Sequence, residues 1–373
     1  YMKHSLIPVY KPTLVGNEKR YVAECLDDTW ISSKGKFVGL FEENFASYLG
    51  LGFATSVSNG TVALHLALHT LGISQGDEVI VPTLTYIASV NTISYTGAKP
   101  VFVDAEPDTW NMNVSLIEKK ITPRTKAIMA VHIYGLPVDM DPILDLCERY
   151  ELKLIEDAAE MIGQSYKGKP CGSFGDISTF SFYPNKHITT GEGGMVLTDD
   201  EKLAEKCRSM RNLCFQREQR FVHAKLGWNY RMTNLQAALG LAQLEQLDNF
   251  IQKKRSMGKN YTNLLKDVSG IQLPLEKTDY AENIYWVYGI VLKDDVHFDA
   301  KEAMQKLGKQ GIGTRPFFYP MHEQPVFKKM GLFEGEFYPV AENIARRGFY
   351  IPSGLALDTE QQKRVANSMS KFL

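Results

Sequence analysis

The amino-acid sequence predicts an α/β fold, in which a large wound and mostly parallel sheet is followed by a smaller α+β domain. Short runs rich in Val and Ile alternate with helical patterns between about residues 50 and 200, as in repeated β-α-β units. Beyond that region the alternation stops, and a long helical stretch leads into a mixed segment. The 373 residues also exceed what one hydrophobic core usually serves, which favours two domains.

The predicted strands are short, and several are nearly continuous apolar runs. Strands that are buried on both faces show this pattern, because helices cover both sides of a wound parallel sheet. In chain order we expect these strands at 53–57, 78–82, 100–105, 127–135, 152–159, 177–182 and 193–198.

Helical patterns fill the intervals between these strands and would supply the crossovers that parallel strands require. They are expected at 61–71, 88–95, 114–121, 141–151 and 201–210. A longer helical stretch, 234–265, follows and contains strong helix formers such as QAALGLAQLEQ.

The C-terminal part predicts a second domain. The run IYWVYGIVL at 284–292 is typical of a strand, and KEAMQKLGKQG is typical of a helix that ends at Gly311. We therefore place a large domain, with an N-terminal arm, at 1–255 and a small α+β domain at 256–373.

Composition excludes several classes of function. The chain is 44% hydrophobic and 23% charged with a net charge of −1, so neither nucleic acid nor an anionic membrane is an expected partner. No apolar run approaches the ~18–20 residues that cross a bilayer. The five cysteines are scattered without a C-x-x-C pair, which argues against a disulfide framework and a zinc ribbon. We expect a cytoplasmic protein.

The strongest chemical signal is the segment FSFYPNKHITTGEGG at 180–194. Lys186 follows the end of a predicted buried strand, where open α/β sheets bind ligands. A lysine that is partly desolvated there can act as an amine nucleophile toward a carbonyl cofactor. Most lysines after strands are simply solvated, and the glycines could form only a tight turn. GEGGMV is not a dinucleotide fingerprint, since it lacks the G-x-G-x-x-G spacing and precedes a strand.

A second signal is LIEDAAE at 154–160, where Asp157 falls at the carboxyl end of another predicted strand. An aspartate beside a pyridine nitrogen keeps that nitrogen protonated, which makes the ring an electron sink. The alternative is that Asp157 only caps the following helix.

A third signal is SNGTVALHLALH at 58–69. Asn59 is a typical helix N-cap, and Gly60 would let backbone N–H groups approach a phosphate at the helix N-terminus. The same residues could form only a turn. His65 and His69 have the spacing of a metal pair, but no third ligand accompanies them, so we expect them to pack on the helix and predict no metal site.

Two aromatic segments complete the set. Tyr86, in TLTYIASVN, lies between a strand and a helix and could stack on a flat heterocycle or merely pack. Asn229 and Arg231, in GWNYRMTN, could bind an anion or cap structure. A lysine, an aspartate, an aromatic ring and a phosphate cradle at the ends of strands together indicate a pyridoxal 5′-phosphate (PLP) site.

Four stretches reveal a resemblance to a known family: TWISSKGKF (29–37), EVIVPTLTYIASVN (78–91), TTGEGGMV (189–196) and NYRMTN (229–234). They resemble the sugar aminotransferases of the DegT/DnrJ/EryC1/StrS family, and the resemblance runs from about Ile7 to the C-terminus. It implies an aspartate-aminotransferase-like (type I) fold and PLP as cofactor, with pyridoxamine 5′-phosphate as its aminated form.

The resemblance also implies roles for individual residues. Lys186 would form the Schiff base with PLP and move protons, Asp157 would contact the pyridine nitrogen, and Glu160 would lie near the phenolic oxygen. Tyr86 would stack on the ring. Phosphate contacts are implied for Gly60, Thr61, Ser181 and, from a neighbouring subunit, Asn229. A contact from a neighbouring subunit implies a homodimer with shared active sites.

The reaction follows from two contrasts within the family. Related 3-dehydratases place histidine where this chain has Lys186, so lysine favours transamination; His187, the next residue, is given no role. The sequence RPFFYPMH (315–322) resembles the 4-aminating members that make GDP-perosamine from GDP-4-keto-6-deoxymannose with glutamate as donor. Candidates for the sugar-nucleotide pocket are Trp30, Ser32, Ser33, Arg315, Tyr319 and His322.

Departures from the family pattern leave the sugar and the nucleotide open. Tyr183-Pro184 replaces the expected Phe-Gly, and the segment 219–228 differs from that of the 4-aminating members. The alternatives are a 4- or 3-aminotransferase acting on a UDP- or dTDP-linked keto-sugar, and a PLP-binding regulator without catalysis. A regulator would normally carry a basic DNA-binding domain, for which this chain has neither the length nor the charge.

Overall fold

The computed structural model describes residues 6–216 and 218–373, so residues 1–5 of the expected N-terminal arm lie outside it. Its centre is a seven-stranded sheet with the order β1-β9-β8-β5-β4-β2-β3, in which β9 runs antiparallel to its neighbours β1 and β8. The other neighbouring pairs are parallel, which confirms the predicted wound sheet. The strands are β1 (Phe53–Val57), β2 (Glu78–Pro82), β3 (Lys99–Val103), β4 (Thr125–Val131), β5 (Lys153–Asp157), β6 (Ser165–Tyr166), β7 (Lys169–Pro170), β8 (Ile177–Ser181), β9 (Gly194–Thr198), β10 (Ile271–Gln272), β11 (Tyr288–Leu292), β12 (Arg315–Pro316) and β13 (Gly348–Ile351).

Helices lie between the strands and around the sheet. They are α1 (Glu18–Asp27), α2 (Lys36–Leu49), α3 (Gly60–Thr70), α4 (Ile87–Tyr95), α5 (Met140–Tyr150), α6 (Glu201–Arg211), α7 (Asn234–Leu244), α8 (Leu247–Leu265), α9 (Ala300–Gly308), α10 (Pro325–Lys329), α11 (Pro339–Arg347) and α12 (Thr359–Met369).

The large sheet separates two apolar cores. Successive residues of a strand point to opposite faces, so Ile80 of β2 enters one core while Val79 and Val81 enter the other. Strand β4 divides in the same way, with Ile128 on the first face and Met129 on the second. Burial on both faces is the physical reason that these strands are continuous apolar runs.

The C-terminal region forms a second, antiparallel sheet with the order β10-β11-β13-β12. Its own core packs helix α8 against this sheet through Tyr261, Leu265 and Tyr288. The expected domain boundary at residues 255 and 256 falls inside α8, and the boundary itself stays a prediction.

Several local expectations differ from the structure. The segment 114–121 forms two short 3₁₀ helices, Val114–Leu116 and Glu118–Lys120, the first capped by the side chain of Asn113. The stretch 234–265 is broken at Glu245 and Gln246 into α7 and α8. The strand expected at 284–292 begins only at Tyr288.

The structure also contains helices that the apolar patterns did not predict, among them α1, α2 and α12. Within the described residues, no helix combines the length and the apolar character that a membrane span needs.

Candidate active site

One cavity of about 610 Å³ opens at the carboxyl ends of the parallel strands. It receives the ends of β1, β2, β4, β5 and β8, and its remaining wall comes from the C-terminal region through Trp286, Phe318 and Tyr350. Seven of the residues predicted from sequence line this cavity together: Gly60, Thr61, Tyr86, Asp157, Glu160, Ser181 and Lys186. A ligand site outside the carboxyl ends of strands is what a wound sheet is expected to form.

Lys186 reaches this cavity from the loop between β8 and β9. Its Nζ lies 3.9 Å from Oε1 of Glu160 and 4.3 Å from the centre of the Trp286 ring. Burial lowers the pKa of the Lys186 amine, while the carboxylates of Glu160 and Asp157 oppose that shift. The result is an amine that loses its proton more readily than a solvated lysine.

Asp157 ends strand β5 at the floor of the cavity. Its Oδ2 accepts a hydrogen bond of 2.8 Å from the Ser89 hydroxyl, and its Oδ1 accepts one of 3.2 Å from the Ala159 N–H. Burial raises the pKa of this carboxyl, and the two hydrogen bonds act against the rise. Asp157 is therefore a fixed carboxylate whose charge is poorly solvated, and a cationic group beside it would be strongly favoured.

Glu160 is held by an unusual backbone conformation. Tyr134, three residues after the end of β4, has φ +61, in the left-handed region that non-glycine residues rarely adopt. Its N–H donates a hydrogen bond of 2.8 Å to Oε2 of Glu160. Burial raises the pKa of the Glu160 carboxyl, and the nearby Lys186 amine opposes this shift.

The predicted phosphate cradle forms where α3 meets β8. The Asn59 side chain caps α3 by accepting a hydrogen bond of 3.0 Å from the Val62 N–H. A Cβ at Gly60 would come within 2.7 Å of the Ser181 Cβ, so only glycine fits this approach. The first N–H groups of α3 have no acceptor within the helix and can bind an anion beside the Ser181 hydroxyl.

Tyr86 lies at the mouth of the cavity as the N-cap residue of α4. Tyr86 is 59% exposed, and the centre of its ring lies 6.0 Å from that of Phe318. A flat ligand could cover the free face of this ring.

The other residues predicted for the site do not line this cavity. Asn229 is exposed and pairs with Asn212, whose side-chain oxygen accepts a hydrogen bond of 2.7 Å from Arg231. Arg231 lines a second cavity of about 630 Å³ together with Ser33 and the basic residues Lys34, Arg208 and Arg211. Trp30, Ser32, Arg315 and Tyr319 are exposed.

His322 is the one predicted sugar contact that the structure buries. Its ring nitrogens lie 2.8 Å from the Thr83 hydroxyl and 3.0 Å from Oε1 of Glu342. It borders a separate cavity that contains Glu323 and Glu342. The roles that the sequence suggests for these outer residues stay predictions.

His65 and His69 pack on one face of α3, as expected. Their rings stack 5.6 Å apart, and both contact Trp228. Nδ1 of His65 lies 3.0 Å from the Tyr230 hydroxyl, so this nitrogen already has a partner.

Sequence reasoning missed three residues that line the cavity or hold its residues. Ser89 binds Asp157 and lies four residues after Thr85 on the first turn of α4, so helical spacing could have indicated it. His132 lines the floor and contacts Oε1 of Glu156 at 3.0 Å. Trp286 stands in an apolar run that indicates only a strand.

Comparison with known proteins identifies the family. A model of the DegT/DnrJ/EryC1/StrS aminotransferase family matches residues 12–370. The chain belongs to this family.

Individual relatives cover the chain almost completely. GDP-perosamine synthase from Escherichia coli O157:H7 is 50% identical over 366 residues, 98% of each chain. The GDP-perosamine synthase of Vibrio cholerae is 43% identical over 368 residues, 98% of this chain and 99% of that one. A putative sugar aminotransferase from Streptococcus pneumoniae, solved in its PLP form, is 26% identical with a TM-score of 0.92 over 98% of each chain. The protein is thus a PLP-dependent sugar aminotransferase, and its predicted fold is confirmed.

The cavity of this aminotransferase fits the cofactor. Thr179 Oγ1 and Asn185 Oδ1 are buried there without a hydrogen-bond partner, so polar groups remain for a ligand to satisfy. An anion cradle lies at the start of α3 and a fixed carboxylate at the end of β5. Between them Lys186 supplies the amine that an aldehyde cofactor requires.

Proposed function

We propose that this aminotransferase moves the amino group of glutamate to the C4 ketone of GDP-4-keto-6-deoxymannose. The products would be GDP-perosamine and 2-oxoglutarate, so the ketone oxygen is exchanged for an amine and the donor becomes a keto acid. The observation that carries this proposal is the 50% identity to a GDP-perosamine synthase over 98% of both chains. A second synthase of the same name, at 43%, supports it.

The residues at the floor would hold PLP, which supplies an aldehyde for the amino group and an electron-withdrawing ring when bound. Lys186 would hold the aldehyde carbon, and Asp157 the ring nitrogen. Glu160 lies beside Lys186 and would face the phenolic oxygen. The phosphate would be bound by Gly60, Thr61 and Ser181, and Tyr86 would cover the ring.

Lys186 would also transfer the protons. Because burial lowers the pKa of its amine, a larger fraction is neutral near pH 7 and able to accept a proton from the amino donor. The same amine can then return that proton. Glu160 lies 3.9 Å from the amine and would stabilise its charged form while the amine holds the proton.

We also propose that two copies of the chain share their active sites. Asn229 is exposed and outside the cavity of its own chain, so it is free to serve the cavity of another copy. Large apolar side chains are exposed in the segment that precedes it in the chain and on the N-terminal segment, including Phe221, Leu226 and Trp30. Such a surface favours association with a second copy.

Recognition of the sugar nucleotide would fall to the rim. Arg315 and Tyr319 flank Phe318, which lines the cavity, and they are exposed. Trp30, Ser32 and Ser33 precede α2, and His322 borders the neighbouring cavity.

A panel of keto-sugar nucleotides tests the substrate. Purified protein is incubated with PLP, glutamate and GDP-4-keto-6-deoxymannose, or with the dTDP- and UDP-linked 4-keto-6-deoxy sugars or a 3-keto sugar. 2-Oxoglutarate and the mass and NMR spectra of the product are measured. We expect the GDP substrate to give the highest kcat/KM and a 4-amino product. Higher kcat/KM for a dTDP- or UDP-linked sugar, or amination at C3, would replace the proposal with that specificity.

A further inference from the structure

The backbone around Lys186 is held from outside its own loop. The Tyr10 hydroxyl donates a hydrogen bond of 2.8 Å to the Lys186 carbonyl, and Nε1 of Trp286 donates one of 2.8 Å to the Asn185 carbonyl. On the other side, Nε2–H of His187 donates to the Ile284 carbonyl at 3.2 Å. Three consecutive residues are thus anchored by the N-terminal segment and by the segment before β11.

One buried side chain joins these anchors. Lys254 of α8 is 1% exposed, and its Nζ donates hydrogen bonds to the Trp286 carbonyl, at 2.9 Å, and to the Ser353 carbonyl. The same Nζ lies 5.3 Å from the centre of the Tyr10 ring. Lys254 therefore contacts two of the three residues that anchor the Lys186 loop, and also the chain just after β13.

Trp286 connects this buried amine to the cavity. Its carbonyl accepts from Lys254, its indole N–H holds Asn185, and its ring lies 4.3 Å from the Lys186 Nζ. A displacement of the Trp286 backbone would therefore move both the loop that carries Lys186 and the surface against which the Lys186 amine rests.

Burying an amine in this place is costly. Burial lowers the pKa of Lys254 to about 7, and no carboxylate in residues 6–216 or 218–373 forms an ion pair with it. An apolar side chain of the same length would avoid this cost but would leave two backbone carbonyls without a donor. The free-energy cost of burying the amine is explained if the amine is needed to join the segments that contain Tyr10, Trp286 and Ser353.

We infer that Lys254 is a positioning residue of this site, which fixes the Lys186 amine through Trp286 and Tyr10. The inference rests on the proposed role of Lys186 as the residue that holds PLP. It assigns Lys254 no contact with cofactor or substrate. Its effect is on the position of the amine, and therefore on how readily that amine captures an aldehyde.

The test compares two neighbouring lysines on one helix. Lys254→Met removes the buried amine, and Lys253→Met makes the same change at an exposed position. The full chain is freed of cofactor and mixed with PLP, and the rate of cofactor capture is followed by visible absorbance. Borohydride reduction and mass spectrometry then locate the label on Lys186. We expect capture at least ~10-fold slower for Lys254→Met and unchanged for Lys253→Met, since displacements of ~1 Å cost up to ~10²-fold.

A double-mutant cycle separates positioning from general weakening. Tyr10→Phe keeps the ring near Lys254 but removes the hydroxyl that holds the Lys186 carbonyl. We expect this variant to slow capture, and we expect the double variant to be slower by less than the product of the two single effects. If Lys254→Met does not fold, Tyr10→Phe is the deciding variant. An unchanged rate of PLP capture by Tyr10→Phe would overturn the inference.

The outcomes distinguish the inference from the proposed function. Wild-type protein that fails to capture PLP at Lys186 overturns both. Wild-type capture together with an equal rate in a folded Lys254→Met variant overturns the inference alone. In turnover assays, a reduced kcat with an unchanged KM for the sugar nucleotide supports positioning, because the rim would be intact.

Discussion

The floor and the rim of the cavity differ in how completely one chain builds them. On the floor, Asp157 and Glu160 are buried, and each accepts hydrogen bonds from neighbouring groups. Trp30, Arg315 and Tyr319, the proposed rim, are exposed, and neither they nor Asn229 line the cavity of their own chain. One chain thus gathers the buried groups of the floor by itself, whereas the proposed contacts to the sugar nucleotide and the proposed phosphate contact of Asn229 lie outside its own cavity.

The sharpest way to break this comparison is to remove the reacting amine from the floor. We expect Lys186→Ala to lower kcat by about 10⁴-fold or more, since the nucleophile and the proton carrier are lost together. The fold should survive, because a buried amine is replaced by a smaller apolar group. Steady-state kinetics and circular dichroism check this, and near-normal turnover in the variant would rule out the proposed mechanism.

Asp157→Asn tests the floor with a side chain of the same shape. The amide oxygen can still accept from Ser89, but the negative charge is gone and the Ala159 N–H loses its acceptor, so we expect kcat to fall about 10²- to 10³-fold. Thermal stability should change little, because removal of a charge that burial disfavours offsets the loss of that hydrogen bond. Kinetics and thermal melts are measured together, and Ser89→Ala is the matched control, which keeps the charge and removes one hydrogen bond. A kcat of Asp157→Asn no lower than that of Ser89→Ala would contradict the role of the charge.

The difference between floor and rim also explains which elements and site residues could be predicted from the sequence. Strands β1 and β2 were predicted to the residue, because each is a short β-rich run with a glycine shortly before it, Gly52 or Gly76. Lys186 and Asp157 were identifiable because chemistry in a wound sheet gathers where strands end. The fold and the floor are therefore encoded locally, in patterns of a few residues.

Contacts between distant segments leave no such pattern. Tyr10 reaches Lys186 across 176 positions, and Lys254 is an unremarkable lysine in a charged helical stretch. Trp286 lies in an apolar run that indicates a strand only. The two 3₁₀ helices at 114–121 were expected as one α-helix, because apolar spacing does not reveal where a helix fails to continue.

Mixed dimers test whether two copies share their active sites. Asn229→Ala alone should weaken PLP binding about 10-fold, the effect of losing one hydrogen bond to a charged group. If sites are shared, mixing Asn229→Ala with the inactive Lys186→Ala chain creates dimers in which one of two sites is fully native. An equal mixture should then recover about a quarter of wild-type activity at limiting PLP.

The control for this exchange is a mixture of Asn229→Ala with wild-type chains treated in the same way. Subunit exchange is verified by mass photometry of tagged copies. Activity of the first mixture equal to the mean of its two parents would show that each chain serves only itself, and would rule out shared active sites.

The smallest predicted effect concerns the contribution of Lys254 to the free energy of unfolding as the pH changes. The folded state lowers the pKa of Lys254 to about 7 from its ordinary value of 10.5. Between those values the unfolded chain binds more protons than the folded one, so this group makes the free energy of unfolding rise with pH through that window. Below about pH 7 its contribution is constant.

Lys254→Met lacks the group, so the stability of wild type minus that of Lys254→Met should be flat below about pH 7 and rise above it. The slope is at most about 1.4 kcal/mol per pH unit. Urea midpoints across this range give the difference, with Lys253→Met as the exposed control. A flat difference for Lys254→Met would mean that the buried amine stays charged when the protein folds, so that its hydrogen bonds to the two carbonyls would have to offset the full cost of its burial.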